Sequence, residues 1–296
     1  LLTGATGFIG APLLKKLNEE GHEILVLSRS IDSKKQKNTL WVQCDLSSTE
    51  TYSSQVNSFL PEVLIHLAWQ DIPDFSLDKS RANLDQSLSL ISLVVELNCC
   101  KKIIVSGSCF EVNQLQGECL ETSLGEAKDH FTWAKISLHS WLSMMSKERN
   151  FELMWMRIFY VYGPRQRLGS LIPSILNNLK KGKQPKILTP KNSNDFIFID
   201  DIINAFSKAL LVENISMTYN LGSGSSSSIL EVCRIAEKIV LGSTLLTEKI
   251  NKNTQQTISN VDFWSNNTNS KKYLDWHPQT KLEDGIKQTW SWIKSQ

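Results

Sequence analysis

Three glycines at intervals of three, Gly4, Gly7 and Gly10, follow Thr3 near the start of the chain. Two apolar residues precede this motif and an amphipathic stretch follows it, which is the order of a strand, a tight turn and a helix. Glycine is needed where such a turn takes a positive φ and where a phosphate comes within contact distance of the backbone. The free N–H groups at the helix start, with the helix dipole behind them, favour an anion. The motif therefore predicts a pyrophosphate-binding turn for a dinucleotide; the alternative is a glycine-rich turn without a ligand.

The elements that would position this turn are short apolar strands that alternate with helices. We predict strands at 23–29, 40–44, 62–68, 103–108 and 151–159, and helices at 77–100 and 128–148. Such alternation favours an α/β fold built on a doubly wound parallel Rossmann sheet. Ligands of these sheets bind beyond the carboxyl ends of the strands. Residues 1–164 are therefore predicted to form the dinucleotide-binding domain.

After residue 164 the alternation is looser, and we predict a smaller C-terminal substrate lobe. This lobe covers 165–296, with a segment near 195–215 that returns to the first domain. A strand at 196–201 should end in acidic residues that cap the next helix. A short strand is predicted at 244–246. The remaining predicted elements are helices, at 171–181, 229–240 and 282–293.

Composition excludes several classes of function. The 296 residues are 41% hydrophobic and 21% charged, and the net charge of +2 gives no reason to expect nucleic acid or a membrane surface as a partner. No apolar run reaches transmembrane length. The six cysteines lack the spacing of metal sites and indicate reduced thiols, so we predict a cytoplasmic protein without a metal. The first strand begins abruptly, and we expect native residues before Leu1.

Further motifs follow along the chain in a definite order. They are Asp45-Leu46, His66-Leu67-Ala68, Asn83, Ser106-Gly107-Ser108, Phe131-x-x-x-Lys135, the run 157–164, Asp195-Phe196-x-x-Ile199-Asp200-Asp201, the run 219–224, and the closing segments 274–278 and 282–285. With the glycine motif, this order resembles the extended short-chain dehydrogenase/reductases of the NAD-dependent epimerase/dehydratase type, which act on nucleotide sugars. The resemblance covers essentially the whole chain.

The resemblance implies a site for NADP(H) or NAD(H). In it Asp45 and Leu46 would flank the adenine, and Ala68 would lie beside the nicotinamide ribose. Lys135 would hold the ribose hydroxyls. The other residues that the resemblance places at the cofactor are Gly4, Thr6, Gly7, Phe8, Ile9, Ser28, Arg29, Leu67, Trp69 and Asn83.

For several residues of this cofactor site the sequence allows more than one role. NAD-specific proteins place an acid at the end of the second strand, against the ribose 2′-hydroxyl, whereas this chain has Ser28 and Arg29 there. Because Arg29 can pair with a 2′-phosphate, we expect NADP(H) in preference to NAD(H); otherwise Arg29 only points to solvent. Asp45 could instead be a helix cap, and Trp69 could be packing rather than a substrate contact. We expect His66 to be a satisfied core histidine and not a catalyst.

The resemblance also implies a nucleotide-sugar site in which Ser108 hydrogen-bonds the reacting oxygen. Dehydratases of the family usually carry an Asp-Glu pair after this residue, but Cys109 and Phe110 stand there. Hydride transfer at a sugar carbon, by a 4-ketoreductase or 4-epimerase, is therefore favoured over loss of water. The remaining predicted substrate residues are Cys109, Phe110, Tyr160, Arg165 and Arg167. The two guanidinium groups suit the diphosphate of the substrate, unless they belong to a solvated basic loop.

The chain departs from the family at Phe131. The family's catalytic pair is Tyr-x-x-x-Lys, which places both side chains on one helix face, and the tyrosine hydroxyl relays the proton. Here phenylalanine stands four residues before Lys135, and it cannot exchange a proton. Three explanations stay open: an engineered variant, a natural enzyme that uses another acid such as Glu111 or Cys109, and a non-catalytic binder.

A homodimer is the predicted assembly. The helices near 83–100 and 128–148 correspond to those that form the dimer interface in many family members. They carry apolar residues on more than one face, including Leu138, Trp141, Leu142 and Met145. Two functions compete with the enzyme: an NADP-binding sensor or pseudoenzyme, and a structural partner protein. The second is disfavoured because the cofactor residues are retained.

Overall fold

A computed structural model describes residues 1–31, 37–114, 116–253 and 261–296. The strands are β1 (Leu2–Thr3), β2 (Ile24–Ser28), β3 (Thr39–Gln43), β4 (Val63–His66), β5 (Lys102–Ser108), β6 (Gln116–Cys119), β7 (Glu152–Ile158), β8 (Tyr160–Tyr162), β9 (Ser193–Asn194), β10 (Phe196–Phe198), β11 (Met217–Leu221), β12 (Ser227–Ser228) and β13 (Asp262–Ser265). The α-helices are α1 (Gly10–Glu19), α2 (Ser53–Phe59), α3 (Leu77–Glu96), α4 (His130–Arg149), α5 (Leu171–Lys180), α6 (Ile199–Leu211), α7 (Ile229–Leu241), α8 (Leu245–Asn253), α9 (Thr268–Tyr273) and α10 (Leu282–Lys294). None of these described helices is long and apolar enough to cross a membrane.

Seven parallel strands form the main sheet, in the order β11-β7-β5-β4-β1-β2-β3. The chain order runs outwards from β1 on one side and from β4 on the other, so the topology reverses between these two strands. Thr3 at the end of β1 pairs with His66 at the end of β4 and with Leu27 of β2. The sheet confirms the predicted doubly wound Rossmann fold. It also places the glycine motif at the reversal, where such sheets bind their ligands.

Alternating side chains along the central strands fill a core on each face of the sheet. Ile104 of β5 belongs to a buried cluster with α1 and α6. Its neighbours Ile103 and Val105 belong to a second cluster with α3 and α4. A strand covered on both faces requires this alternation, which explains why the strands are apolar nearly throughout.

Two smaller sheets accompany the main sheet in the described part of the chain. Four strands form one sheet, in the order β12-β9-β13-β6, and β10 pairs with β8. Strand β6 joins the small sheet from the first part of the chain, whereas β11 joins the main sheet from the second part. The boundary of the substrate lobe at residue 164 stays a prediction, because segments from both sides of it share sheets.

The predicted acidic cap of α6 is wrong. The strand predicted at 196–201 ends at Phe198, so Asp200 and Asp201 lie in the first turn of α6 and not at its N-cap. The buried carboxylate of Asp201 accepts a hydrogen bond from the N–H of Gln279, at 2.9 Å. It therefore joins the helix to a distant loop.

The strand predicted at 244–246 is also wrong, because α8 begins at Leu245. The carboxylate of Glu237 accepts hydrogen bonds from the N–H groups of Leu246 and Thr247, at 3.0 and 2.8 Å. An acid that accepts from the first N–H groups of a helix stabilises that helix start. A short apolar run cannot distinguish a strand from a helix by its periodicity alone.

Candidate active site

The glycine turn brings β1, α1 and the end of β4 into close contact. Gly4 has φ +71°, and a Cβ there would lie 2.8 Å from the backbone nitrogen of Ala68. A Cβ on Gly10 would lie 2.1 Å from the carbonyl oxygen of Gly4. No side chain fits at either position, so both glycines are required by the packing of the turn itself.

The space beside Gly7 is open. A Cβ on Gly7 would meet only the Gly4 carbonyl oxygen, at 3.2 Å, and otherwise open space. Thr6 and Gly7 are exposed, while Phe8 and Ile9 pack against the core. The first turn of α1 has neither an acidic residue nor a side-chain cap. An anion at this helix start would therefore face no acidic side chain, and the dipole of α1 would favour it.

His66 is a core histidine, as predicted. Its Nδ1 lies 2.9 Å from Thr3 Oγ1, and its Nε2 lies 3.0 Å from Ser87 Oγ. Burial, and then the charge of Lys135, lower the pKa of His66 to about 3. The neutral ring thus connects β1, β4 and α3, and Thr3 Oγ1 also accepts from the N–H of Ala68 at 3.2 Å. Leu67, predicted at the cofactor, packs against the core beside them.

Asn83 holds the loop that follows β4. Its Oδ1 accepts from the N–H of Gln70 at 2.6 Å, and its Nδ2 donates to the carbonyl oxygen of Lys79 at 2.8 Å. The side chain is buried and these backbone groups occupy its amide. Its role here is to position the loop that carries Trp69.

The residues predicted at the adenine end lie together at the ends of β2 and β3. Arg29 is exposed, and Ser28 is half-buried. Asp45 Oδ1 accepts from the N–H of Ser47 at 2.9 Å. This bond and, more weakly, the charge of Arg29 lower the pKa of Asp45. Asp45 therefore caps a local turn while facing Arg29; Leu46 beside it packs against the core.

Phe131 lies in the first turn of α4, inside an aromatic cluster. The helix begins with a reciprocal capping box between Asp129 and Thr132. The Phe131 ring stacks on Phe75, with centroids 4.7 Å apart, and meets the edge of Trp69 at 5.5 Å. Only 5% of Phe131 is exposed, so its neighbours hold the ring firmly.

Lys135 follows one helical turn later on the same face of α4. Its Nζ donates to the carbonyl oxygen of Ser106 at 2.8 Å and lies 3.9 Å from the centroid of the Trp69 ring. Burial lowers the pKa of Lys135 to about 8, while the nearby Glu111 carboxylate opposes this shift. The structure therefore brings together Lys135, Phe131, Trp69 and the strand end that carries Ser108.

Ser108 ends β5 and starts a short turn that Glu111 closes. Ser108 Oγ accepts from the N–H of Phe110 at 3.2 Å, and Glu111 Oε1 accepts from the N–H of Ser108 at 2.6 Å. Glu111 Oε2 accepts from Trp155 Nε1 at 2.8 Å and lies 3.6 Å from Arg157 Nε. Neither oxygen of this carboxylate is available to a substrate.

Cys109 and the aromatic residues near it are packed rather than reactive. Cys109 lies in a small buried cluster with Phe159 and Phe263. Burial raises the pKa of its thiol well above the usual range, which keeps it protonated. The rings of Phe110 and Tyr160 meet edge-on, with centroids 5.9 Å apart. Tyr160 therefore lies beside the Ser108 turn.

The two predicted phosphate-binding arginines differ in their contacts. Arg165 is exposed and has φ +70°. Arg167 is also exposed, but its Nη1 donates to the carbonyl oxygen of Ile72 at 2.7 Å, and its Nε donates to Ser170 Oγ at 3.1 Å. Arg167 thus joins the loop after β8 to the loop after β4.

Sequence reasoning missed three partners of the site: Phe75, Trp155 and the role of Gly107. A Cβ on Gly107 would lie 2.3 Å from Trp155 Nε1, so the Gly in the Ser-Gly-Ser motif was a signal of close packing. A separate cavity of about 1200 Å³, lined by residues such as Ile24 and Val63, opens at the amino ends of the strands. It lies at the opposite edge of the sheet and has no part in this site.

Comparison with known proteins shows the family to which the chain is similar along its length. A model of the NAD dependent epimerase/dehydratase family matches residues 1–222. The CDP-abequose synthase of Salmonella muenchen is 25% identical over 299 residues, which cover 97% of this chain and 95% of that protein.

Solved structures match over nearly the full length. UDP-glucose 4-epimerase from Thermotoga maritima with UDP-glucose has a TM-score of 0.84 at 21% identity, over 99% of this chain and 98% of that one. A tyrosine-to-phenylalanine mutant of UDP-glucuronic acid 4-epimerase from Bacillus cereus, with UDP-4-deoxy-4-fluoro-glucuronic acid and NAD, has a TM-score of 0.81 at 21% identity, with the same coverage. Both confirm the fold along the whole chain.

The buried amine of Lys135 generates a prediction about stability and pH. Its pKa is about 8 in the folded protein, whereas lysine in an unfolded chain titrates near 10.4. Between these values the unfolded chain binds a proton that the folded chain lacks, so the free energy of unfolding rises with pH. From pH 7 to pH 10 the unaltered protein should gain about 2 kcal/mol relative to Lys135→Met, as measured by urea unfolding. Lys15→Met, on the exposed face of α1, is the matched control; a Lys135→Met difference that does not change with pH would contradict the prediction.

Proposed function

The chain belongs to the NAD dependent epimerase/dehydratase family of enzymes, and we propose that it transfers a hydride at a carbon of a nucleotide-activated sugar. The proposed reaction is that of a 4-ketoreductase or a 4-epimerase. One observation carries the proposal: Lys135 contacts both the Ser106 carbonyl oxygen, two residues before Ser108, and the ring of Trp69, which follows the Ala68 backbone packed on the glycine turn. The similarity to 4-epimerases along the whole chain supports it.

The proposed roles follow from the contacts of each side chain. The nicotinamide cofactor supplies or accepts the hydride when it is bound. Among the described residues, Lys135 donates one hydrogen bond, to the carbonyl oxygen of Ser106, which leaves N–H groups of its ammonium for the ribose hydroxyls. Ser108 Oγ accepts from Phe110, so its own hydrogen is available for the reacting oxygen of the sugar. Arg165 and Arg167 are proposed to bind the diphosphate.

The source of the proton is the open part of this mechanism. Phe131 has no exchangeable proton, the carboxylate oxygens of Glu111 face N–H donors, and burial raises the pKa of the Cys109 thiol so far that it is a poor proton donor. These contacts weigh against the two substitute acids. Phe131 therefore favours a second candidate function, a sensor or pseudoenzyme that binds NADP without turnover.

Restoring the missing hydroxyl is the direct test of the proposed mechanism. General acid–base groups contribute about a hundred- to ten-thousandfold in rate, so Phe131→Tyr should raise turnover of the correct nucleotide sugar by that factor. Cofactor affinity should change little, because the ring is retained. Phe75→Tyr adds the same hydroxyl to the neighbouring stacked ring and is the control. Lys135→Ala should weaken cofactor binding and remove the gain.

Two other results would decide between the alternatives. If turnover stays flat in Phe131→Tyr and Cys109→Ala abolishes it, the chain uses a different acid. If neither the unaltered chain nor Phe131→Tyr turns over any nucleotide sugar while both bind NADP(H), the sensor is the correct function.

The preference for NADP(H) is a separate prediction, from the end of β2. Arg29 is exposed there, and a charge-assisted bond to a 2′-phosphate is worth about 1.5–3 kcal/mol. NADP(H) should bind more tightly than NAD(H) in a fluorescence titration, and Arg29→Ala should lower NADP(H) affinity about tenfold. Arg234→Ala, remote on α7, should have no effect. Equal or tighter NAD(H) binding that Arg29→Ala leaves unchanged would overturn the preference.

We also propose a homodimer, but with fewer interface residues than the sequence suggested. Leu138 and Leu142 are fully buried in the chain's own core, so they cannot mark an interface. The apolar residues that α4 exposes are Trp133 and Met144, at 38% and 57%. Together with the half-buried Trp141 they line the outward face of the helix.

The dimer prediction is tested by placing a charge on that face. The protein should sediment as a dimer at micromolar concentration, and Met144→Lys should shift it toward a monomer because a charge would be buried in the interface. Leu188→Lys introduces the same charge at a loop residue that is 92% exposed, and it should leave the dimer intact. A monomer in the unaltered protein would refute the assembly.

A further inference from the structure

The carboxylate of Glu111 contacts the backbone of Ser108 and the side chains of Trp155 and Arg157. We propose that Glu111, with Trp155 and Arg157, is a positioning residue that fixes the direction of the Ser108 hydroxyl. The inference rests on the proposed function of Ser108. It assigns to Glu111 a role different from that of the substitute acid considered above.

Ser108 and Glu111 are held by reciprocal hydrogen bonds within one turn. Glu111 Oε1 accepts from the N–H of Ser108 at 2.6 Å, and Ser108 Oγ accepts from the N–H of Phe110 at 3.2 Å. The two bonds form a capping box around a single short turn. The backbone of Ser108 and its side chain are therefore held by the same turn, and Glu111 closes it.

The second carboxylate oxygen of Glu111, Oε2, faces two buried side chains of β7. Glu111 Oε2 accepts from Trp155 Nε1 at 2.8 Å and lies 3.6 Å from Arg157 Nε. All three side chains are at most 2% exposed. Burial raises the pKa of Glu111, and the charge of Arg157 opposes that effect. Because these neighbours are N–H donors, both oxygens of the Glu111 carboxylate serve as hydrogen-bond acceptors inside the protein.

Gly107, the residue before Ser108, is closely packed by Trp155 and Glu111. A Cβ on Gly107 would lie 2.3 Å from Trp155 Nε1 and 2.9 Å from Glu111 Oε1. The indole and the carboxylate therefore pack directly against the backbone of the strand end. A displacement of either group toward Gly107 would therefore push the backbone that leads into the Ser108 turn.

Arg157 extends this network to neighbouring segments. Its Nη1 donates to Asn220 Oδ1 and its Nη2 donates to the carbonyl oxygen of Ser123, both at 3.3 Å. Asn220 Nδ2 in turn donates to the carbonyl oxygens of Cys119 and Asn266, at 2.8 and 3.1 Å. The ion pair thus connects the Ser108 turn to β11 and to the small sheet.

The first measurement needs no substrate. In the unliganded protein, amide hydrogen exchange of Ser108 by NMR should speed up at least tenfold in Glu111→Gln, because the amide side chain cannot accept from both Ser108 and Trp155. Glu237→Gln makes the same change in another buried carboxylate that holds backbone N–H groups, far from this turn, and should leave Ser108 unchanged. Unchanged exchange in Glu111→Gln would overturn the proposal.

The second measurement separates positioning from acid catalysis. On the nucleotide sugar turned over by the protein or by Phe131→Tyr, Glu111→Gln should lower kcat about ten- to a hundredfold, with KM and cofactor affinity within about twofold. Both limbs of the pH–rate profile should remain. Loss of a limb would make Glu111 an acid or base, and an unchanged kcat would deny it any role.

A milder variant guards against misfolding. Trp155→Phe keeps both charges and removes one hydrogen bond, worth about 1 kcal/mol, so kcat should fall about fivefold in a folded protein. An unchanged kcat in Trp155→Phe contradicts the positioning role of Glu111 and Trp155 even if Glu111→Gln does not fold. If no nucleotide sugar is turned over, the proposed function fails, while the exchange of the Ser108 amide still decides whether Glu111 holds the turn.

Discussion

Buried carboxylates that accept backbone N–H groups are the interaction on which the carboxyl edge of the sheet depends. Asp195 is fully buried and accepts from the N–H groups of Ser223, Gly224 and Ser265, at 2.5, 3.1 and 3.0 Å. Loops that lie inside a protein need partners for their backbone groups. One acid supplies them here to segments far apart in the sequence, and its hydrogen bonds offset the cost of burying a charge. Glu111 does the same for the turn that carries Ser108.

The parts of the fold that the sequence predicts well are determined by neighbouring residues. Most strands and helices of the first 160 residues follow from apolar periodicity, although α2 and β6 were not predicted, and the glycine turn follows from spacing alone. His66 could be assigned to the core because an apolar strand surrounds it in the sequence, and its two hydroxyl partners fit that assignment. Elements with short or mixed patterns, such as the start of α8, were misassigned because their stabilising acid lies elsewhere in the chain.

The residues of the site could be predicted from the sequence, but the contacts between their side chains could not. Ser108 and Lys135 were identified by motif, yet the partners of Glu111 are more than forty residues away along the chain, at Trp155 and Arg157. No local pattern indicates such a pairing, because it depends on β5 lying beside β7 in the sheet. The same limit applies to Leu138, whose burial depends on how α4 packs and not on its own sequence.

The aromatic cluster explains how the site keeps its shape without a tyrosine hydroxyl. Phe131 is held by Phe75 and Trp69 through ring contacts, which need no hydrogen bond. The amine of Lys135 has its own partners, the Ser106 carbonyl oxygen and the face of the Trp69 ring. Neither arrangement requires a phenolic oxygen between them. The residues proposed to bind the cofactor therefore hold their places through contacts that include no phenolic oxygen, and the hydroxyl that would move the proton can be lost while they remain in place.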